Sequence, residues 1–162
     1  MLDIVVLSIV MEAVGSAAAV IQLVEITLRT VTALVKYTRG VNNASTDRES
    51  LANEALCLEQ ILKRLSARLS DPRLDPAWIE QRQEILEQFR KTCADLVKTL
   101  ERYQLPEESE KGNRLKAIKL AAKWPFSKPE VYALLERVTR LQQYANTLVV
   151  ADQRYLNLCM MS

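Results

Sequence analysis

The side chains that could carry out nucleophilic chemistry in this chain are three cysteines, Cys57, Cys93 and Cys159. They lie far apart, form no CxxC pair, and each falls among apolar residues with helical spacing, as buried free thiols do. Histidine is absent, so neither a Cys–His nor a Ser–His pair can form, and the commonest zinc ligand is missing. We therefore expect buried, inert thiols, a reducing intracellular compartment and no enzymatic activity.

Phosphate binding and acid–base chemistry are not indicated either. The glycines Gly15, Gly40 and Gly112 are isolated, and none begins a phosphate-binding loop. Carboxylate pairs such as Glu84 and Glu87 fall on a helix face that we expect to be exposed. A formal net charge of +2 is too small to indicate a duplex-binding surface. We expect no cofactor, no metal and no nucleic-acid partner.

The elements that position these residues are predicted to be helices. The 162 residues include only 3 Gly and 5 Pro, so helix formers are abundant and turn residues scarce. Apolar spacing predicts long helices over about 2–37, 46–69 and 76–103, a short basic helix over 114–123, and a long last helix that opens at about 127 and includes Leu148 and Val149. The expected fold is an all-α antiparallel bundle of four long helices plus one short basic helix. The polar segment 104–113 is expected to be an exposed loop.

Capping signals and apolar faces fix the order of these helices. Thr46 with Glu49 has capping-box spacing, and Ser127 with Glu130 repeats it before the last helix. Asp75 is expected to cap the third helix, with Pro76 in its first position. The second and third helices are expected to be antiparallel neighbours across a short turn. The predicted core residues of the later helices include Leu51, Leu58, Leu62, Leu65, Leu86, Phe89, Cys93, Leu96, Leu134, Val138, Leu141 and Leu148.

The first helix differs from the others because residues 4–24 are almost uniformly apolar. Such a run is long enough to span a bilayer, but Glu12 near its middle disfavours a constitutive anchor. Three interpretations stay open: conditional membrane insertion, a central bundle helix contacted on all sides, or a secretory signal. Asp3 disfavours the signal because it stands where a basic residue is expected.

Conditional insertion would use both the apolar residues of this helix and its small residues. Small side chains four positions apart, as at Gly15 and Ala19, allow two helices to approach closely, while Glu12 and Gln22 would face a hydrated interior. The candidate residues for membrane insertion and oligomerisation are Ile4, Val5, Leu7, Ile9, Glu12, Gly15, Ala18, Ala19 and Gln22.

A second candidate surface is the basic segment that precedes the last helix. A basic amphipathic helix can lie on an anionic leaflet, and the candidate anionic-lipid contacts are Arg114, Lys116, Lys119 and Lys123. The alternative is an ordinary solvated face, because three glutamates at 107, 108 and 110 offset part of its charge.

Three segments of the chain resemble the HeLo-like N-terminal domain of fungal STAND (NLR-type) proteins. The run from Met11 to Leu23, Met-Glu-Ala-Val-Gly-Ser-Ala-Ala-Ala-Val-Ile-Gln-Leu, resembles the small-residue start and aliphatic first helix of that family. The leucine-rich segment 47–69, followed by Asp75-Pro-Ala-Trp78, resembles its second helix and the tryptophan after it. The most specific match is Lys123-Trp-Pro-Phe126, which resembles the turn leading into the family's last helix.

This resemblance implies an N-terminal effector domain of a fungal receptor, which oligomerises and targets membranes through its first helix to trigger cell death. It places the domain at residues 11–157, after an apolar extension at 1–10 and before a tail at 158–162. It also implies an upstream nucleotide-binding module as partner, a cytoplasmic location at rest and the plasma membrane on activation. The alternative is a helical adaptor or homo-oligomerisation module that never enters a membrane.

Overall fold

The structure, a computed structural model, describes residues 16–40, 46–102 and 126–160. These residues form five helices and no strand: α1 (Ala17–Gly40), α2 (Thr46–Leu69), α3 (Ala77–Gln81), α4 (Gln83–Glu101) and α5 (Lys128–Met160). Four of them are long, with 24, 24, 19 and 33 residues. The predicted all-α bundle is therefore confirmed.

Local hydrogen bonds explain where several helices begin. The backbone N–H of Ser127 donates to Glu130 Oε2 at 2.6 Å, which is one half of the predicted capping box at the start of α5. The carboxylate of Asp75 accepts a hydrogen bond from the Ala77 backbone N–H at 2.9 Å, in front of α3. Helix α2 begins at Thr46, as its spacing predicts, and carries Asp47 and Glu49 in its first turn, where acids complement the helix dipole.

Two predicted boundaries are wrong. The first helix continues to Gly40 rather than ending near Tyr37. The predicted third helix is divided at Arg82, whose φ of −118° and ψ of 21° leave the helical region and whose N–H donates to Ile79 O instead. The short helix among the described residues is thus α3. The predicted basic helix 114–123, the loop 104–113 and residues 2–15 of the first helix lie outside the described residues.

The four long helices form a square in which each helix has two close neighbours. Helix α1 packs against α2 and α4, and α5 packs against the same two helices. The Tyr37 ring, near the end of α1, meets the Phe126 ring, just before α5, edge to face at a centroid separation of 6.4 Å. The end of α1 and the start of α5 therefore lie at one end of the bundle. The start of α1 lies at the other end.

The connection from α2 to α4 crosses a diagonal of this square, so the prediction that these two helices are close neighbours is wrong. Helices α2 and α4 are not among the extensively packed pairs, and α3 lies in the segment of chain that connects them. The Asp71 carboxylate holds the turn after α2, because it accepts hydrogen bonds from the backbone N–H and the guanidinium of Arg73 at 2.9–3.2 Å. These bonds lower the pKa of Asp71.

The core is one cluster to which all five helices contribute. The predicted faces are confirmed, since Leu58, Leu62, Phe89, Leu134 and Leu141 are fully buried. The predicted aromatic anchors Trp78 and Phe126 are also buried, whereas Trp124 lies outside the described residues. A further hydrogen bond from Gln142 Nε2 to Glu54 O, at 2.7 Å, joins α5 to α2.

We predict that Leu58→Asp unfolds the bundle. An unpaired buried carboxylate costs several kcal/mol, against a total stability of about 5–15 kcal/mol for a domain of this kind. Loss of the helical circular dichroism signal would show this. The matched control is Gln60→Asp on the exposed side of α2, which should shift the free energy of unfolding by no more than about 0.5 kcal/mol. Similar urea melting of both variants would contradict the assigned core.

Candidate functional site

Helix α1 is the candidate functional element because it is both the most apolar helix described and a structural part of the core. Among the described residues, it alone is long and apolar enough to cross a membrane, over Ala17–Arg39, and half of its most apolar window is buried in the bundle. Core helices of soluble proteins meet the same criterion. The large aliphatic residues on its buried face are Val20, Leu23, Val24, Ile26, Val31, Leu34 and Val35.

The burial of the aliphatic face of α1 determines how much free energy is lost when this helix is exposed to water. Burying one large aliphatic side chain is worth about 1.5–3 kcal/mol, so this face as a whole contributes on the order of 10–20 kcal/mol. That is comparable with the whole stability of a typical domain. Helix α1 therefore cannot leave the bundle for water. It can leave only for another environment that covers the same apolar face.

Three buried threonines on α1 satisfy their hydroxyl groups within the helix itself. Thr27 Oγ1 donates to Leu23 O at 2.7 Å, and Thr30 Oγ1 donates to the carbonyl one turn before it at 2.9 Å. Thr38 Oγ1 does the same with Leu34 O at 2.9 Å. Because these bonds move with the helix, transfer of α1 to lipid would leave the hydroxyls of these three threonines paired.

A polar contact joins the middle of α1 to the middle of α4. Thr27 Oγ1 lies 3.0 Å from Cys93 Sγ, and both side chains are buried. Burial raises the pKa of the Cys93 thiol to about 12, because the thiolate would lose its hydration. Cys93 is therefore protonated near neutral pH and inert while α1 is in place.

The opposite side of α1 carries an exposed polar stripe, which we define as Gln22, Glu25, Arg29 and Lys36. Their spacing of three, four and seven residues places them on one helical face. The interpretation of α1 as a central helix contacted on all sides is therefore wrong for its described part. Helix α1 occupies one corner of the square.

The predicted site residues are only partly described. Ala18 and Gln22 are exposed and four residues apart on α1, and Ala19 is half-buried. The other predicted insertion residues, Ile4, Val5, Leu7, Ile9, Glu12 and Gly15, lie outside the described residues. The predicted lipid contacts Arg114, Lys116, Lys119 and Lys123 also lie outside them.

The two predicted membrane elements attach to opposite ends of the bundle. Residues 1–15 lead into the start of α1, whereas the segment 103–125 joins the end of α4 to Phe126, beside the end of α1. A helix of 24 residues is about 36 Å long. The positions at which these two segments join the described helices are thus about one helix length apart.

The expectation that every cysteine is buried is wrong for Cys57, which is exposed. Its sequence neighbours Leu56 and Leu58 are apolar, but the helical period turns position 57 away from the face that contains Leu58 and Leu62. Cys93 is buried as predicted. The side chain of Cys159 lies outside what the structure describes.

The polar stripe and the Thr27–Cys93 contact were not predicted from the sequence. The stripe has a signal in the sequence, because Gln22, Glu25, Arg29 and Lys36 interrupt the apolar run at helical intervals. The contact has none, because 66 residues separate its partners. Within the described ranges, no group of three or more Cys, Asp or Glu side chains is placed to hold a metal ion.

Comparisons with protein-family models, curated proteins and solved structures give no match for this chain. The site therefore has to be interpreted from its own geometry.

We predict that thiol-modifying reagents distinguish the two described cysteines in the native protein. Cys57 should react quickly, and Cys93 should react at least about a hundredfold more slowly, because its thiol is enclosed and protonated. Peptide mass spectrometry after timed alkylation measures both rates, and urea-unfolded protein, in which both thiols should react, is the control. Rapid modification of Cys93 in the folded protein would contradict the packing of α1 on α4.

Proposed function

We propose that this chain is an effector domain that oligomerises and targets anionic membranes through α1, and so permeabilises them to trigger cell death. Its upstream partner would be a nucleotide-binding module of an NLR-like receptor, as the HeLo-like resemblance implies. The domain would be cytoplasmic at rest and act at the plasma membrane. The observation that carries the proposal concerns α1. This helix has the length and composition of a membrane span, and half of its most apolar window is buried in the bundle.

Lipid is a suitable destination for α1. The hydrocarbon core of a bilayer covers the same aliphatic face that α2 and α4 cover in the bundle. The hydroxyls of Thr27, Thr30 and Thr38 keep their carbonyl partners, because each donates to a carbonyl of α1.

The polar stripe explains why α1 would act in several copies. An isolated charge at the centre of a bilayer costs about 2.5–3.5 kcal/mol on insertion scales, and α1 carries both Glu25 and Arg29 on one face. When several α1 helices turn their stripes toward a shared interior, these charges stay hydrated and can pair between copies. Such an assembly conducts water and ions.

The charged end of α1 indicates how the helix would be oriented. Lys36 and Arg39 are exposed near its last turn, and cations remain on the side of the anionic cytoplasmic leaflet. The basic segment with Arg114, Lys116, Lys119 and Lys123 leads in the sequence to Phe126, which lies beside Tyr37 at the same end. We therefore expect that end to stay at the headgroups while the start of α1 crosses.

A second candidate function is a helical adaptor that keeps α1 in place. The amphipathic character of α1 favours this alternative, because a buried aliphatic face opposite an exposed polar stripe is the pattern of an ordinary bundle helix. The two functions differ in one measurable property. An adaptor leaves vesicles intact.

We predict that Glu25→Leu combined with Arg29→Leu increases membrane binding and abolishes membrane leakage. The change makes α1 more apolar, which favours insertion, but it removes the hydrated face on which a conducting assembly depends. Release of a trapped dye from phosphatidylcholine–phosphatidylserine vesicles measures leakage, and vesicle sedimentation measures binding.

The matched control is Lys91→Leu with Asp95→Leu, an oppositely charged pair with the same spacing on the exposed face of α4. This control also removes one positive and one negative charge and adds two leucines. Vesicles treated with it should therefore release dye at the rate seen with wild-type protein. Intact vesicles with wild-type protein at every concentration would reject the effector function in favour of the adaptor. Equal loss of leakage in both double variants would reject the role of the stripe.

A further inference from the structure

The segment between α2 and α4 closes the end of the bundle at which α1 begins. It starts with tight turns, in which Asp71 N–H donates to Arg68 O and Leu74 N–H donates to Asp71 O, each at 3.1 Å. Helix α3 follows and has only 5 residues. Among the described helices it packs closely only on α4. Two of its side chains, Trp78 and Ile79, enter the core and are only 3% and 7% exposed.

Arg82, at the break between α3 and α4, holds Trp78 in this position. Its guanidinium lies over the indole ring, 4.8 Å from the ring centroid, and its Nη1 donates to Trp78 O at 3.1 Å. A cation over an indole face is attracted by the ring quadrupole. A neighbouring side chain adds a similar bond, because Gln83 Nε2 donates to Ile79 O at 3.2 Å. The short helix is thus fastened mainly by side chains.

The packed position of α3 is also destabilised by one buried donor group on each of these two side chains, Trp78 and Arg82. The indole Nε1–H of Trp78 and the Nε–H of Arg82 are buried, and neither has a hydrogen-bond partner in the described part of the chain. Burial lowers the pKa of Arg82, which means that the surroundings disfavour its charged form. Buried donors without partners are rare in folded proteins and destabilise the state that contains them. Opening of α3 would let water satisfy both groups.

From this balance we infer that residues 74–81 form a metastable latch, held shut on α4 by Arg82 over Trp78 and weakened by the unpaired donors of these two side chains, and that its opening uncovers the end of the bundle at which α1 begins. The latch lies at the end of the bundle from which α1 would enter a membrane, opposite the end that carries Lys36 and Arg39. The gating part of this inference rests on the proposed function. The existence of the latch does not.

Two variants should shift the latch in opposite directions. Replacing Trp78 alone by benzothienylalanine exchanges the indole N–H for sulfur with little change of shape, so the closed state loses an unpaired donor. Opening should become about tenfold rarer. Arg82→Ala removes the cation and its bond to Trp78 O together with one unpaired Nε–H, and because two contacts are lost against one unpaired donor, opening should become about tenfold more frequent. Arg140→Ala, in an exposed pair with Glu136 on α5, is the control and should change nothing.

Native-state hydrogen exchange of the backbone amides in residues 74–81 measures this opening in the full chain, and circular dichroism confirms that each variant is folded. Opposite shifts with an unchanged control support the latch. If both variants shift the opening frequency in the same direction, or if neither shifts it, the latch is rejected.

Dye release from phosphatidylcholine–phosphatidylserine vesicles then tests gating. Gating is supported if the variant that opens more often releases dye faster than wild-type protein and the variant that opens less often releases dye more slowly. Opposite exchange shifts with identical leakage rates in all variants overturn gating but leave membrane insertion standing. If wild-type protein does not leak at all, the proposed function fails, gating falls with it, and hydrogen exchange alone decides whether the latch exists.

Discussion

The aliphatic face of α1 is the constraint on which the rest of the structure depends. A face from Val20 to Val35 that is worth on the order of 10–20 kcal/mol when buried must be covered in every state that the protein populates. In the bundle, α2 and α4 cover it, and α5 completes the square on the far side. Any function that moves α1 must provide an equally apolar destination.

The topology of the bundle follows from this arrangement and separates its two ends. Because α2 and α4 stand on a diagonal, the chain between them has to cross one end of the bundle, and it does so through α3 with Trp78 and Ile79 inserted in the core. The start of α1 is at that end. The other end holds the Tyr37–Phe126 contact and the cations Lys36 and Arg39. Helix α1 therefore begins at the end of the bundle where α3 lies and ends beside two cations. This arrangement suits a helix that leaves the bundle with its start first.

Helical periodicity was sufficient to predict the helices and their buried faces. Leu58, Phe89 and Leu141 recur at intervals that only a helix places on one side, and the Ser127–Glu130 pair marks a helix start through local hydrogen bonds. The square order of the helices could not be predicted, because it depends on contacts between distant segments, such as Thr27 with Cys93. The break at Arg82 was not predicted either, because no Gly or Pro marks it in the sequence.

The most direct test of the account is to lock α1 to α4. Thr27 Oγ1 is 3.0 Å from Cys93 Sγ, so Thr27→Cys places a second thiol close enough to form a disulfide with Cys93 after a small adjustment. The oxidised variant should bind anionic vesicles without releasing their dye, and reduction should restore leakage to the rate of wild-type protein. Undiminished leakage by the fully oxidised variant would show that leakage does not require α1 to separate from α4 and would contradict the account.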